Sequence, residues 1–151
     1  MRALIVVVCS LWFSMANAAI LEQGATIDSM EFQDQFDQQI GVDSQTQQLL
    51  FSRNMKGGEI IQAALEANGD NTPATTVYVA DISGMPSLIA KFVAVPRMKD
   101  LPFKMALDRE GEVTKSLPGE KDKASLITLD NLKIVDIQIF EDADELAKAL
   151  N

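Results

Sequence analysis

Gln47–Leu65, QQLLFSRNMKGGEIIQAAL, constrains the fold of this chain more than any other stretch. Leu49-Leu50-Phe51 is a short apolar run bounded by polar residues, which suits a buried strand. Ser52–Gly58 reads as a polar turn. From about Glu59 the apolar residues recur at helical spacing, with Ile60/Ala64 and Ile61/Leu65 as i,i+4 pairs on one stripe. A strand that delivers a loop onto a helix N-terminus is a frequent place for chemistry in α/β folds. Free amide donors and the helix dipole point there. This loop carries no obvious reactive group.

Met1–Ala18 reads as a secretory signal peptide. Arg2 supplies the positive start, Leu4–Phe13 the apolar core and Ala16-Asn17-Ala18 a small-x-small cleavage site. The apolar run is shorter than the roughly 20 residues of a membrane-spanning helix. Cys9 lacks the small residues that precede a lipidated cysteine, so no lipoprotein is expected. Cleavage after Ala18 leaves 151 − 18 = 133 residues, one domain (19–151) by length. A chain of that size buries about two-thirds of its unfolded surface.

Cleavage would also remove the only cysteine, Cys9, and the only tryptophan, Trp12, from a chain with no histidine. The exported chain then has no thiol, imidazole or disulfide. That excludes thiol–disulfide exchange, Cys or His nucleophilic catalysis and ordinary zinc or haem ligation. Its charge becomes 12 − 22 = −10, since residues 1–18 hold one arginine and no acid. An acidic domain without a basic stripe suits neither nucleic acid nor an anionic membrane.

Along the chain, Phe36–Gln39 sits between short apolar runs and suggests a hairpin tip. The helix after Glu59 is expected to stop at Asn68-Gly69. Val77–Ile82, VYVADI, reads as a second strand. Ser83–Pro86 turns into a second helix whose buried stripe is expected to be Leu88, Ile89, Phe92 and Val93, with Pro96 ending it. Phe103–Leu107 is expected as a strand, and Val113–Leu117 as a short helix after the turn DREGE. Ser125–Leu129 and Ile134–Phe140 read as an antiparallel hairpin, with Val135, Ile137 and Ile139 sharing one face. Asp142 and Glu145 form a capping-box pattern for a last helix, Asp142–Leu150. The acids at 141–145 lack the spacing of a calcium loop. Strands alternating with helices, then a hairpin and a helix, predict an α/β fold with a mixed central sheet and helices on both faces.

Four of these stretches, in order, resemble the thioredoxin-like superfamily in its TlpA/peroxiredoxin-type branch. LLFSRNMKGGEIIQAAL resembles the strand, active-site turn and first long helix, and VYVADISGMPSLIAKF the second strand and helix. LPFKMALDREGEVTKSL resembles the strand and Asp-x-x-Gly-Glu-Val turn, and ASLITLDNLKIVDIQIF the closing hairpin. The resemblance implies a three-layer α/β/α sandwich with a C-terminal helix. It also implies that the family's CxxC falls on Lys56-Gly57-Gly58-Glu59, so Lys56 and Glu59 stand where cysteines would be. The family's cis-proline falls on Ala124 or its neighbour, with Pro102 as a second candidate under a shorter alignment. A non-proline cis bond costs about 3–4 kcal/mol, so a trans peptide is expected at Ala124.

The leading expectation is a redox-inactive periplasmic binding or adaptor module, not an enzyme, holding a protein or peptide of the cell envelope. Its candidate recognition loop is Arg53, Asn54, Lys56 and Glu59, with no cofactor, no metal and no membrane span. Lys56 and Glu59, three apart at a helix start, could pair. A second expectation is an exported carboxylate- or cofactor-dependent enzyme using Asp81, Asp108 or Glu59. A third is a copper or small-ligand carrier using Met30, Met55, Met85, Met98 and Met105, although no M-x-x-M cluster occurs. Gly57-Gly58 lacks the remainder of a nucleotide-binding fingerprint.

Overall fold

The computed structural model describes residues 19–151; the signal-peptide reading of Met1–Ala18, with Cys9 and Trp12, lies outside them. A hairpin comes first, β1 (Met30–Gln33) and β2 (Gln39–Val42), with the expected tip between them. Then follow β3 (Gln48–Ser52), helix α1 (Met55–Asn68) and β4 (Thr76–Asp81). A broken helix comes next: α2 (Ser87–Ile89), a π-helical turn (Ala90–Ala94) and α3 (Val95–Met98). The chain closes with β5 (Ala106–Asp108), β6 (Ala124–Asp130), β7 (Lys133–Phe140) and α4 (Ala143–Ala149).

The strands form one seven-stranded mixed sheet in the order β2-β1-β5-β4-β3-β6-β7. β3, β4 and β5 are parallel, and the two hairpins flank them antiparallel. The crossovers β3–α1–β4 and β4–α2/α3–β5 step the same way across the sheet. With right-handed crossovers, their helices belong on the same face. Alternation along each strand then separates two cores. Leu50, Tyr78, Ala80 and Leu126 meet Ile61 and Leu65 of α1, Ala90 and Val95 of the broken helix, and Leu146 of α4. On the opposite face Leu49, Phe51, Val79 and Ile127 meet Ile27, Phe32, Leu117 and Ile134. No helix contributes to that second core among the described residues, so its outer layer is turns and extended chain. Helices were expected on both faces, and Val113–Leu117 would have supplied one there.

That stretch is a run of turns because Asp108 organises it. Its Oδ1 accepts from Gly111 N (2.9 Å), and its Oδ2 from Thr114 N (2.8 Å) and Thr114 Oγ1 (2.9 Å). A side-chain acceptor offers these backbone groups an alternative to a helix.

The stripe expected on the second helix is also wrong. Leu88 and Phe92 are 69% and 66% exposed, and Ile89 and Val93 face solvent as well. The buried positions are Ala90 and Val95, five residues apart. Val95 N–H donates to Ala90 O, an i→i+5 bond that widens the turn and shifts the phase assumed for an α-helix. The same widening lets the chain run through Pro96 to Met98, where a regular helix meets a missing donor and a steric clash. In β7 a bulge opposite Thr128 and Leu129 takes Val135 out of register, and Ile134 enters the core in its place. The third strand begins at Ala106, later than expected. The Gln35 carboxamide takes Phe103 O (2.8 Å) and Met105 N (3.0 Å) before a ladder can form.

Candidate functional site

The candidate loop joins β3 to α1 and touches the chain entering β6. Helix α1 starts at Met55, four residues before the expected point, because Asn54 caps it. Asn54 Oδ1 accepts from Gly57 N (3.1 Å) and from Asp122 N (3.2 Å), while its Nδ2 donates to Asp122 Oδ1 (2.6 Å). One side chain thus closes the helix and holds Asp122 in a left-handed conformation (φ 65°). Gly57 lies in the first turn for steric reasons. A Cβ there would sit 2.3 Å from Lys123 O, a backbone atom that cannot step aside.

Arg53 works the other way across the loop. Its Nη2 donates to Leu117 O (2.6 Å) and Lys115 O (3.3 Å), its Nε to Gly119 O (3.0 Å), and its guanidinium lies over the Phe51 ring at 5.0 Å. Gly119 can approach Phe51 only without a side chain, since a Cβ would meet the ring at 2.7 Å. Arg53 and Asn54 therefore tie residues 53–58 to residues 115–123. Their polar groups serve the fold, and both side chains are half-buried beside the exposed Lys56 and Glu59.

Lys56 and Glu59 are exposed, as is Met55 before them. Neither Lys56 nor Glu59 has an ion-pair partner among the described residues, so the pairing considered for them is not formed. Ala124 is fully buried at the start of β6, in register with Ser52 and with Phe140 on its other side. The described residues contain no cis peptide bond, so both Ala124 and Pro102 follow trans bonds. Lys123 next to it bridges Glu120 (2.8 Å) and Glu141 (3.0 Å). Its hydrogen bonds to these carboxylates hold the ammonium above its usual pKa.

Beneath the loop, Ser52 Oγ and Tyr78 Oη are hydrogen-bonded at 3.1 Å. Burial pushes the Tyr78 phenol up to about 12, against the lowering effect of the Ser52 bond. Its ring leans on Phe103, centroids 6.5 Å apart. A cleft of about 190 Å³ opens beside this pair, lined in part by Leu65, Thr72 and Lys104.

Of the carboxylates considered for catalysis, Asp81 and Asp108 are register partners on β4 and β5, while Glu59 is exposed on α1. Each aspartate is occupied by its own turn. Asp108 is buried with three donors from Gly111 and Thr114, and Asp81 Oδ1 accepts from Ser83 N (3.0 Å) and Ser83 Oγ (2.6 Å). Of the methionines, Met105 is fully buried in the first core, Met30 is buried in the second, and Met85 and Met98 pack against the first. Among the described residues no three His, Cys, Asp or Glu side chains are placed to hold a metal ion, and no helix is long and apolar enough to cross a membrane.

Two buried polar residues went unnoticed in the sequence. Gln35 has no exposed surface and donates from Nε2 to Met98 O (3.2 Å) and Phe103 O (2.8 Å), tying the β1–β2 tip to the end of α3 and the approach to β5. Asp34 Oδ1 accepts from Phe36 N (2.8 Å) and Gln38 N (2.9 Å), and Lys104 Nζ stands 3.6 Å from Oδ2. Burial acts to raise the Asp34 carboxyl, but these amides and the Lys104 charge outweigh it and hold it below its usual value. The signal was an Asp two residues before the tip, the spacing of an Asx-turn.

No family model matches the chain, and no curated protein matches it. Solved structures do. Peroxidoxin BcpB of Mycobacterium tuberculosis superposes with a TM-score of 0.56 at 14% identity, covering 86% of this chain and 96% of that one. The thioredoxin domain of a thiol-disulfide oxidoreductase from Bacteroides vulgatus gives 0.54 at 14%, covering 87% and 99%. A peroxiredoxin-like protein from Aquifex aeolicus gives 0.56 at 12%, covering 89% and 88%. At such identities the likeness carries the fold, and the fold is thioredoxin-like.

Proposed function

We propose that this thioredoxin-fold chain, with its single cysteine in the segment read as a signal peptide, acts as a redox-inactive binding or adaptor module exported to the bacterial periplasm, with a protein or peptide as its ligand. The supporting observation is the division of labour at the start of α1. Arg53 and Asn54 lock the loop onto residues 115–123, and the locked loop holds Met55, Lys56 and Glu59 out toward solvent. Residues 19–151 supply neither a thiol nor an imidazole, so the platform can carry neither disulfide exchange nor Cys or His nucleophilic catalysis.

Two experiments test this. Turnover of the exported chain in an insulin-disulfide reduction assay would sink the redox-inactive reading. A crosslinking pull-down from the native envelope, run beside a Lys56→Ala/Glu59→Ala bait, tests the binding face. A partner captured by the native chain and lost by the variant is the expected result. Equal capture by both would move the interface off this loop.

A further inference from the structure

The 17 residues Ser83–Lys99 contain no aspartate or glutamate, in a chain with 22 acids among 151 residues. They carry Lys91, Arg97 and Lys99, all exposed and none in an ion pair among the described residues. Within this basic island Leu88, Ile89, Phe92 and Val93 stand at i, i+1, i+4 and i+5 as one exposed apolar ridge, and Lys91 Nζ lies over the Phe92 ring at 5.5 Å. Leu88 and Phe92 are the most exposed large apolar side chains of the described residues. The ridge stands clear because the π-helical turn commits only Ala90 and Val95 to the core. Contiguous apolar surface rimmed by charge marks an interaction site.

Charge selects the occupant. A second copy docked ridge to ridge about a two-fold axis would set three bases against three. An anionic bilayer suits the ridge itself. However, a bilayer is an extended plane that also meets the rest of residues 19–151, whose charge is −10 − 3 = −13 once the three bases are set aside. A protein ligand touches the ridge alone. We propose that Leu88–Val93 is a docking surface for an acidic amphipathic peptide segment of a partner protein, its apolar face on Leu88 and Phe92 and its carboxylates toward Lys91, Arg97 and Lys99. This rests on the binding-module reading but assigns the ligand to a different element from Lys56 and Glu59.

A random-peptide display library, with inserts long enough for several helical turns, is selected against the exported chain, and enriched peptides are titrated by fluorescence anisotropy. The expected result is net-acidic sequences with apolar residues at helical spacing. Their affinity falls about tenfold or more in both Leu88→Ser/Phe92→Ser and Lys91→Glu/Arg97→Glu. No enrichment, enrichment without acidic bias, or binding unchanged in the Leu88→Ser/Phe92→Ser variant overturns the assignment. So does binding to vesicles of phosphatidylglycerol and phosphatidylethanolamine that depends on Leu88 and Phe92 when no peptide binds. Peptides lost only in Lys56→Ala/Glu59→Ala also overturn this docking surface, while leaving the binding-module reading in place.

Discussion

Tyr78 is the only tyrosine in the chain, and residues 19–151 have no tryptophan, so its ionisation is directly visible in the ultraviolet. A spectrophotometric pH titration of residues 19–151 is expected to show one phenolate transition near 12, where an unperturbed phenol gives 10. The sign follows from burial: folding favours the neutral phenol, so the stability it contributes is present below pH 10 and lost as pH rises toward the folded value. A midpoint at 10 would place Tyr78 in water and break its link to Ser52. Gly57 makes a second residue-scale test. Gly57→Ala forces a Cβ against Lys123 O, and denaturant unfolding is expected to show a loss of about 1–3 kcal/mol, even though alanine is the better helix former. The positions of Arg53, Asn54 and Gly57 were legible in the sequence, but their roles were not. Their partners lie more than 60 residues away, at 115–123, a stretch that only overlaps the end of the helix expected at Val113–Leu117. Lys56 and Glu59 were legible as exposed charges because nothing distant claims them.

At the scale of elements, strands read well wherever an apolar run lies inside the sheet. Gln48–Ser52, Thr76–Asp81 and the Ala124–Phe140 hairpin stand within a few residues of where the pattern places them. The broken helix did not, since apolar spacing assumes 3.6 residues per turn and one π-helical turn defeats that assumption. The two phases make opposite predictions. If Leu88 and Phe92 were core residues, truncating either would cost about 2–5 kcal/mol. On the structure, Leu88→Ser and Phe92→Ser are each expected to leave the urea midpoint within about 0.5 kcal/mol of the native chain, whereas Val95→Ala, at a buried position, is expected to lower it measurably. A large loss at Phe92 would return the helix to the phase that spacing alone suggests.

On the scale of the whole molecule, the parallel centre β5-β4-β3 and its two antiparallel flanks were legible as an order of elements. The choice of faces was not, because it depends on the direction each crossover takes across the sheet. Among the described residues, helices cover one core, and turns and extended chain cover the other. The loop between β3 and α1 is braced against those turns by Arg53 and Asn54. Urea unfolding of four single variants tests that brace: Arg53→Ala, Asn54→Ala, Lys56→Ala and Glu59→Ala. The first two are expected to lose about 1–3 kcal/mol each, through stranded carbonyls and a lost cap. The last two are expected to stay within about 0.5 kcal/mol of the native chain. Four equal losses, or none at Arg53 and Asn54, would contradict a loop locked onto residues 115–123 that holds Met55, Lys56 and Glu59 out toward solvent.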